Sequence, residues 1–207
     1  MIFWKEILIP LVAGYLAGAI PIGYLVGKVA GVDVRRVGSG RTGGTNVLRA
    51  AGLIPSAITI LGDALKGIVA VGLARILIGS EMAAVAAGIA VVIGHNWSVF
   101  LGFKGGAGGV TAAAVLTALN PLCGGVAVLL GIAGLVIWRM ASVATLVIAL
   151  ASPLTLYLFS LFFAGSMIHV AYGVAVLVVI VVALLPNIKR LASGTERTVD
   201  LNHVSTQ

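Results

Sequence analysis

Apolar runs long enough to cross a bilayer recur along this chain, and only short polar segments separate them. A spanning helix needs about 20 predominantly apolar residues. Residues 5–27, 56–79, 82–101, 122–138, 141–163 and 167–186 approach or exceed that length. Only 9% of the 207 residues are charged and 60% are hydrophobic, against about 25% charged in a soluble domain. So large a deficit leaves no polar surface for a soluble particle, and the pattern predicts a polytopic all-α membrane bundle.

The turns give the sidedness. Gly79-Ser80-Glu81 and Ala164-Gly165-Ser166 carry no Lys or Arg, whereas the segment 28–55 holds Lys28, Arg35, Arg36, Arg41 and Arg49. The positive-inside rule puts that segment in the cytoplasm. Parity then requires residues 110–138 to leave the cytoplasm and return, turning at Asn120-Pro121. The outward limb, 111–119, is about 14 Å long as a helix and cannot cross a core of about 30 Å alone. The expectation is seven transmembrane segments, one of them short, starting at a glycine loop. The N-terminus lies outside and the C-terminus in the cytoplasm, with residues 1–190 as one domain and 191–207 as a polar tail. Small residues such as Gly14, Gly18, Ala83, Ala86, Ala87 and Gly88 permit close helix packing. The net charge of +7 sits in loops beside membrane spans, so topology accounts for it without nucleic acid. The one cysteine, Cys123, excludes an internal disulfide framework and reads as a packing residue.

Two polar stretches interrupt the apolar pattern. The first, Ser39-Gly40-Arg41-Thr42-Gly43-Gly44-Thr45-Asn46-Val47-Leu48-Arg49, combines glycines, hydroxyls, an amide and two guanidinium forks. These are parts for holding a phosphate, or for a flexible turn with topology-setting cations. A short helix over 46–50 would add an N-terminus that favours anions. No Gly-Lys-Ser/Thr follows and no strand precedes, so neither a Walker loop nor a dinucleotide fingerprint is present. The second stretch runs from Gly94-His95 through Trp97, Phe100 and Lys104 to the run Gly105-Gly106-Ala107-Gly108-Gly109. His95 could serve as acid, base or phosphate donor, or simply close a helix end. Lys104 reads either as an anion ligand or as a snorkelling lysine, and Trp97 and Phe100 as interfacial anchors.

Within the second span, Asp63 and Lys66 are three residues apart and share one helix face. They are expected to pair and to face the bundle interior or the cytoplasmic end, because a lone charge at the bilayer centre costs about 2.5–3.5 kcal/mol. Arg139 and Ser142 open another span at the cytoplasmic boundary. Asn187, Lys189 and Arg190 begin a basic juxtamembrane run. His169 and His203 have no partner nearby in sequence. No Gly-x-Ser-x-Gly elbow, no His-x4-Asp pair and no cluster with metal-ligand spacing occurs, and neither a metal nor a cofactor is expected.

These residues together resemble the acyl-phosphate-dependent glycerol-3-phosphate acyltransferases of bacterial membranes, the PlsY family. The first stretch is similar to S-G-N-x-G-x-T-N-x-x-R, Asp63 to Gly67 to D-x-x-K-G, and Gly94 to Gly108 to G-H-x-x-P-x-F-x-x-F-K-G-G-K-G. Arg139 with Ser142 resembles a third loop, and the order and spacing agree over nearly the whole chain. The resemblance implies transfer of an acyl group from acyl phosphate to the 1-hydroxyl of sn-glycerol 3-phosphate, giving lysophosphatidic acid and phosphate. It implies a multi-pass protein of the bacterial plasma membrane that works as a monomer among lipids, with its active site on the cytoplasmic side. It nominates Ser39, Arg49, Lys104 and His95 as catalytic. Gly40, Arg41, Thr42, Gly43, Gly44, Thr45, Asn46, Gly105, Gly106, Ser142 and Asn187 are nominated as substrate-binding.

The chain departs from the pattern at four places. Arg41 stands for the asparagine after Ser-Gly, Ala107 for the second lysine of K-G-G-K-G, Ser98 for a proline, and Leu184 for the histidine of H-R-x-N-I. The lost lysine and histidine resemble acceptor-side ligands. A different acceptor, or a non-catalytic protein that binds lipid or phosphate, is therefore the alternative reading; a transporter is a weaker one, since the spans offer little polar path beyond Asp63 and Lys66.

Overall fold

The computed structural model describes residues 3–163 and 165–199, and its regular structure there is entirely helical. Six helices are long and apolar enough to cross a membrane. The first, Trp4–Val29, is broken at Ile20-Pro21 into α1 (Ile9–Ala19) and α2 (Ile22–Val29). After a polar segment comes the short α3 (Gly44–Ala51), then α4 (Leu53–Ile78) and α5 (Glu81–Asn96). The apolar α6 (Gly109–Leu119) has only 11 residues, about 16 Å of helix. It is the expected short segment, and it begins at the glycine loop. Asn120 caps α7 (Pro121–Trp138) by accepting from the Cys123 amide at 3.0 Å. Two long helices, α8 (Ala141–Phe162) and α9 (Met167–Ala192), complete the bundle. Of the predicted turn 164–166, Ala164 lies outside the described residues.

Small residues set the tightest packing. A Cβ on Gly18 would stand 2.1 Å from the Val91 carbonyl oxygen, and one on Gly94 would stand 2.1 Å from that of Tyr15. The backbones of α1 and α5 therefore touch directly, as the run of Gly and Ala anticipates. The apolar core lies where α4, α5, α6 and α9 meet, around Val71, Val91, Leu116, Tyr172 and Ile180, all fully buried. The Tyr172 hydroxyl donates to the Ala112 carbonyl at 2.8 Å, so even this core phenol has a partner.

The break at Pro21 frees carbonyls at the end of α1, and two distant side chains satisfy them. Ser98 Oγ donates to the Ala19 oxygen and Lys66 Nζ to the Ile20 oxygen at 3.3 Å. The hydroxyl at the position where a proline was expected thus fastens α5 to α1. At the opposite end of the bundle, Arg75 pairs with Glu81 at 2.7 Å and donates to the Ala118 and Leu119 carbonyls that end α6. His169 Nε2 lies 2.8 Å from Glu81, which supplies the partner the sequence did not reveal. His203 lies outside the described residues.

One boundary differs from expectation. The last helix was expected to end at residue 186, with Asn187 opening a tail, but α9 runs through Pro186 to Ala192. Proline removes an amide from a helix interior and leaves a carbonyl one turn earlier without its donor. Nearby, Arg41 Nη2 donates to the Ala183 carbonyl, which supports the turn around the proline from outside the helix. Asn187 and Arg190 are consequently held on a rigid helix face.

Candidate active site

Hydrogen bonds join the polar segment 30–43 to the glycine loop 102–108 and to α9, α3 to α4, and the chain beyond α9 to the α7–α8 junction, so these segments gather at one end of the bundle. There a cavity of about 130 Å³ is lined by Ser39, Arg41, Gly43, Gly44, Thr45, Asn46, Arg49, His95, Ser142 and Asn187 among others. Residues from four separate stretches of sequence thus converge. A second, more open cavity adjoins it, sharing Ser39 and Arg41 and adding Gly40, Lys104 and Gly105. Of the nominated residues, only Thr42 and Gly106 line neither cavity.

Asn46 builds the first loop. Its side chain is 2% exposed. Nδ2 is within 2.8 Å of the Val34 and Arg41 carbonyls and 3.1 Å of that of Val37, while Oδ1 accepts from the Ser39 amide at 2.9 Å. Its polar atoms are therefore spent on the loop backbone, although the residue lines the cavity. Gly38 closes over it with φ 55°, and a Cβ there would stand 2.5 Å from Asn46 Oδ1. The helix expected over 46–50 starts two residues earlier, at Gly44. Ser56 Oγ donates to the Gly44 carbonyl at 2.9 Å and ties this helix to α4. The first amides of a helix have no acceptor within it. Those of α3 belong to Gly44 and Thr45, both cavity residues, with Arg49 on the next turn. Farther out, Asp33 pairs with Arg35 at 2.8 Å, and that hydrogen bond holds its carboxyl down at about 2.

At the inner wall of the cavity, Asp63, Lys66 and His95 form a buried cluster, with Asp63 and His95 among the lining residues. Lys66 Nζ lies 2.8 Å from Asp63 Oδ1 and 2.8 Å from His95 Nδ1. Asp63 Oδ1 also lies 3.4 Å from Nδ1, so this ring nitrogen faces both members of the ion pair and the Nε2 edge is turned away from them. That edge faces Gly106, where a Cβ would stand 2.0 Å from Nε2. The expected Asp63–Lys66 pair is present and faces inward. Its third member escaped the sequence reading because His95 comes from another helix.

Arg41 crosses the site. Nη1 donates to the Gly106 carbonyl at 2.8 Å, and Nη2 to the Ala183 carbonyl and to Asn187 Oδ1 at 3.2 Å. Gly106 and Ala183 directly precede Ala107 and Leu184, the two positions where the family's lysine and histidine are missing. Burial pushes the Arg41 guanidinium below its usual range and Arg190 repels it, with Glu196 opposing. It remains a cation at neutral pH all the same. Because Arg41 takes Oδ1, the Asn187 amide nitrogen points the other way, to Glu196 Oε1 at 2.7 Å.

Glu196 was not nominated from the sequence. After α9 the chain turns back, and this carboxylate enters the cavity, its side chain only 4% exposed. Ser142 Oγ donates to Oε1 at 3.0 Å and Arg190 Nε to Oε2 at 2.8 Å. Burial pushes the carboxyl up, but hydrogen bonds from Asn187, Arg190 and Ser142 outweigh it and hold the group below its ordinary value. Among the described residues no group of three or more His, Cys, Asp or Glu side chains could hold a metal ion.

Residues 8–194 match the family model for glycerol-3-phosphate acyltransferase. A glycerol-3-phosphate acyltransferase of Methylorubrum populi is 43% identical over 201 residues, covering 93% of each chain. One from Symbiobacterium thermophilum is 41% identical over 92% of this chain and 94% of its own. The crystal structure of PlsY, an integral membrane glycerol 3-phosphate acyltransferase, in its glycerol 3-phosphate form superposes with a TM-score of 0.85 at 32% identity, covering 97% of this chain and 98% of that one. Its lysophosphatidic acid form gives 0.83 at 31% identity, with the same coverage. With the motif residues gathered at one cavity and the match running over nearly the whole length, the chain belongs to the glycerol-3-phosphate acyltransferase family.

Proposed function

We propose that this protein transfers a fatty acyl group from acyl phosphate to the 1-hydroxyl of sn-glycerol 3-phosphate, forming lysophosphatidic acid and inorganic phosphate for phospholipid synthesis. The observation that carries the reading is the convergence of the family's motifs on one cavity rich in phosphate donors. Acyl phosphate is a mixed anhydride with a good leaving group. The acceptor oxygen attacks the carbonyl carbon, the bond from carbonyl carbon to phosphate oxygen breaks, and phosphate departs with the electron pair. The hydroxyl proton passes to a phosphate oxygen, so a separate general base is not required, and because the acceptor attacks directly neither is a covalent nucleophile. What the protein supplies is position and charge.

Gly44 and Thr45 at the start of α3, with Arg49 one turn farther along, suit the donor's phosphoryl group, with Ser39 between the two cavities and Lys104 at the outer one. His95, held by Lys66, supports the glycine loop from within. Ser142 and Asn187 suit the acceptor. Arg41 takes over for the two absent donors: its three bonds leave one Nη1 proton and the Nε proton free, next to both vacated positions.

Ten of the 13 Lys and Arg residues lie at the site's end of the bundle, against Lys5 and Arg75 at the other. That asymmetry supports a cytoplasmic site in a bacterial plasma membrane protein. Counting the short α6 supports seven passes with the N-terminus outside, and a site assembled wholly from one chain supports a monomer.

The test is to purify the protein, supply acyl phosphate and glycerol 3-phosphate, and follow phosphate release and lysophosphatidic acid. Both products are expected, and Arg41→Ala should raise the KM for glycerol 3-phosphate more than that for acyl phosphate. Phosphate release only with some other acceptor would replace glycerol 3-phosphate in this reading. No release with any acceptor would leave a binding protein.

A further inference from the structure

The residues best suited to hold a substrate phosphate are already holding an anion, and it belongs to the protein. Ser142, Asn187 and Arg190 all donate to the Glu196 carboxylate, at 3.0, 2.7 and 2.8 Å. The segment that carries it is fastened on both sides. Arg49 Nη2 donates to the Thr198 carbonyl at 3.1 Å, and the Val199 amide donates to the Arg139 carbonyl at 2.6 Å. Val199 is 4% exposed, and the Thr195 amide donates to the Arg190 carbonyl at 2.8 Å to turn the chain back from α9. Three nominated residues, Arg49 as catalytic and Ser142 and Asn187 as substrate-binding, are thus engaged by residues 196–198. Carboxylate and phosphate present similar oxygens to the same donors, so they exclude one another here. The family match ends at residue 194, two residues before Glu196.

We infer that residues 194–199 form an intramolecular strap in which Glu196 occupies a substrate-phosphate subsite, and that substrate enters only as the strap lifts. The inference rests on the proposed acyltransfer for which phosphate is displaced, but not for the displacement itself. A ligand that needs a fractionally populated open state binds more weakly by that fraction. The strap's three charge-assisted bonds favour closure, and ordering a short segment at a helix end opposes it. A closed population of about nine in ten would weaken phosphate binding about ten-fold.

The experiment compares wild type, Glu196→Ala and a chain ending after Ser193, reconstituted in detergent or nanodiscs. Binding of inorganic phosphate, read by calorimetry or thermal shift, should tighten about ten-fold in both variants. In turnover, the KM of the substrate whose phosphate uses this subsite should fall by a similar factor while kcat stays within about two-fold. A fall for glycerol 3-phosphate assigns the subsite to the acceptor, and a fall for acyl phosphate assigns it to the donor. Unchanged or weaker phosphate binding in both variants overturns the strap. Tighter phosphate binding without any transfer by wild type would overturn the proposed reaction and leave the strap standing.

Discussion

Replacing Asn46 with alanine tests how the phosphate loop is made. The side chain is buried, and four backbone groups depend on its amide. The Val37 carbonyl keeps a second donor, the Gly40 amide at 3.0 Å. The Val34 carbonyl keeps the Val37 amide at 3.5 Å, and the Arg41 carbonyl and the Ser39 amide lose their partner. A polar group stranded in a protein interior costs about 1–3 kcal/mol, and these lie close enough to the cavity for the low end to apply. Two groups at about 1 kcal/mol each amount to about 2 kcal/mol, or about 30-fold in the population of the correct loop. Asn46→Ala should therefore lower kcat/KM for acyl transfer about 30-fold, measured by phosphate release. The helices do not depend on this amide, so the unfolding midpoint in detergent should move little. Asn46→Asp should be worse, since it sets a carboxylate oxygen against three carbonyls. An Asn46→Ala enzyme within three-fold of wild type would refute the account of the loop.

Asp63→Asn or Lys66→Met alone should cost about 3–5 kcal/mol, because each leaves an uncompensated buried charge, while the double variant should cost less than either single one. Additive losses in thermal unfolding would contradict the coupling. Gly18→Ala must push against the Val91 backbone, so a loss of about 1–3 kcal/mol is expected. Gly125→Ala, with nothing within 4 Å of its added methyl, should be neutral or stabilising by the same assay. The Glu196 carboxyl is held below its ordinary value of 4.5. A depressed carboxyl contributes fully above its unfolded pKa and loses its effect as pH falls through the folded value. From about pH 6 to 8 the ratio of phosphate affinities between Glu196→Ala and wild type should therefore stay constant; a ratio that collapses within that range would assign the contact to another group.

The spans were legible because a helix that crosses lipid must show its length and apolarity directly in sequence. Even the short α6 followed from parity and from the nine apolar residues after the glycine loop. The Asp63–Lys66 pair followed from helical spacing. The continuation of α9 did not, because Pro186 is an ordinary stop signal, and the guanidinium that supports the turn comes from Arg41, more than 140 residues earlier. Asn46 looked like a ligand because an amide among glycines and threonines reads the same whether it binds phosphate or carbonyls. Glu196 gave no signal at all. A lone acid in a polar tail acquires meaning only when the chain folds back and its charge meets Arg190 and Ser142.

The shortness of α6 sets the depth at which the chemistry occurs. It shares the turn at Asn120-Pro121 with α7, which has 18 residues to its 11. Measured along each helix from that turn, α6 is about 10 Å shorter than α7. Gly109, its first residue, lines the cavity. The floor of the cavity is therefore recessed from the end of α7. In the proposed reaction such a recess lets the donor's acyl tail stay among the lipid chains while only its phosphoryl end turns inward, and the water-soluble acceptor makes the longer descent to meet it.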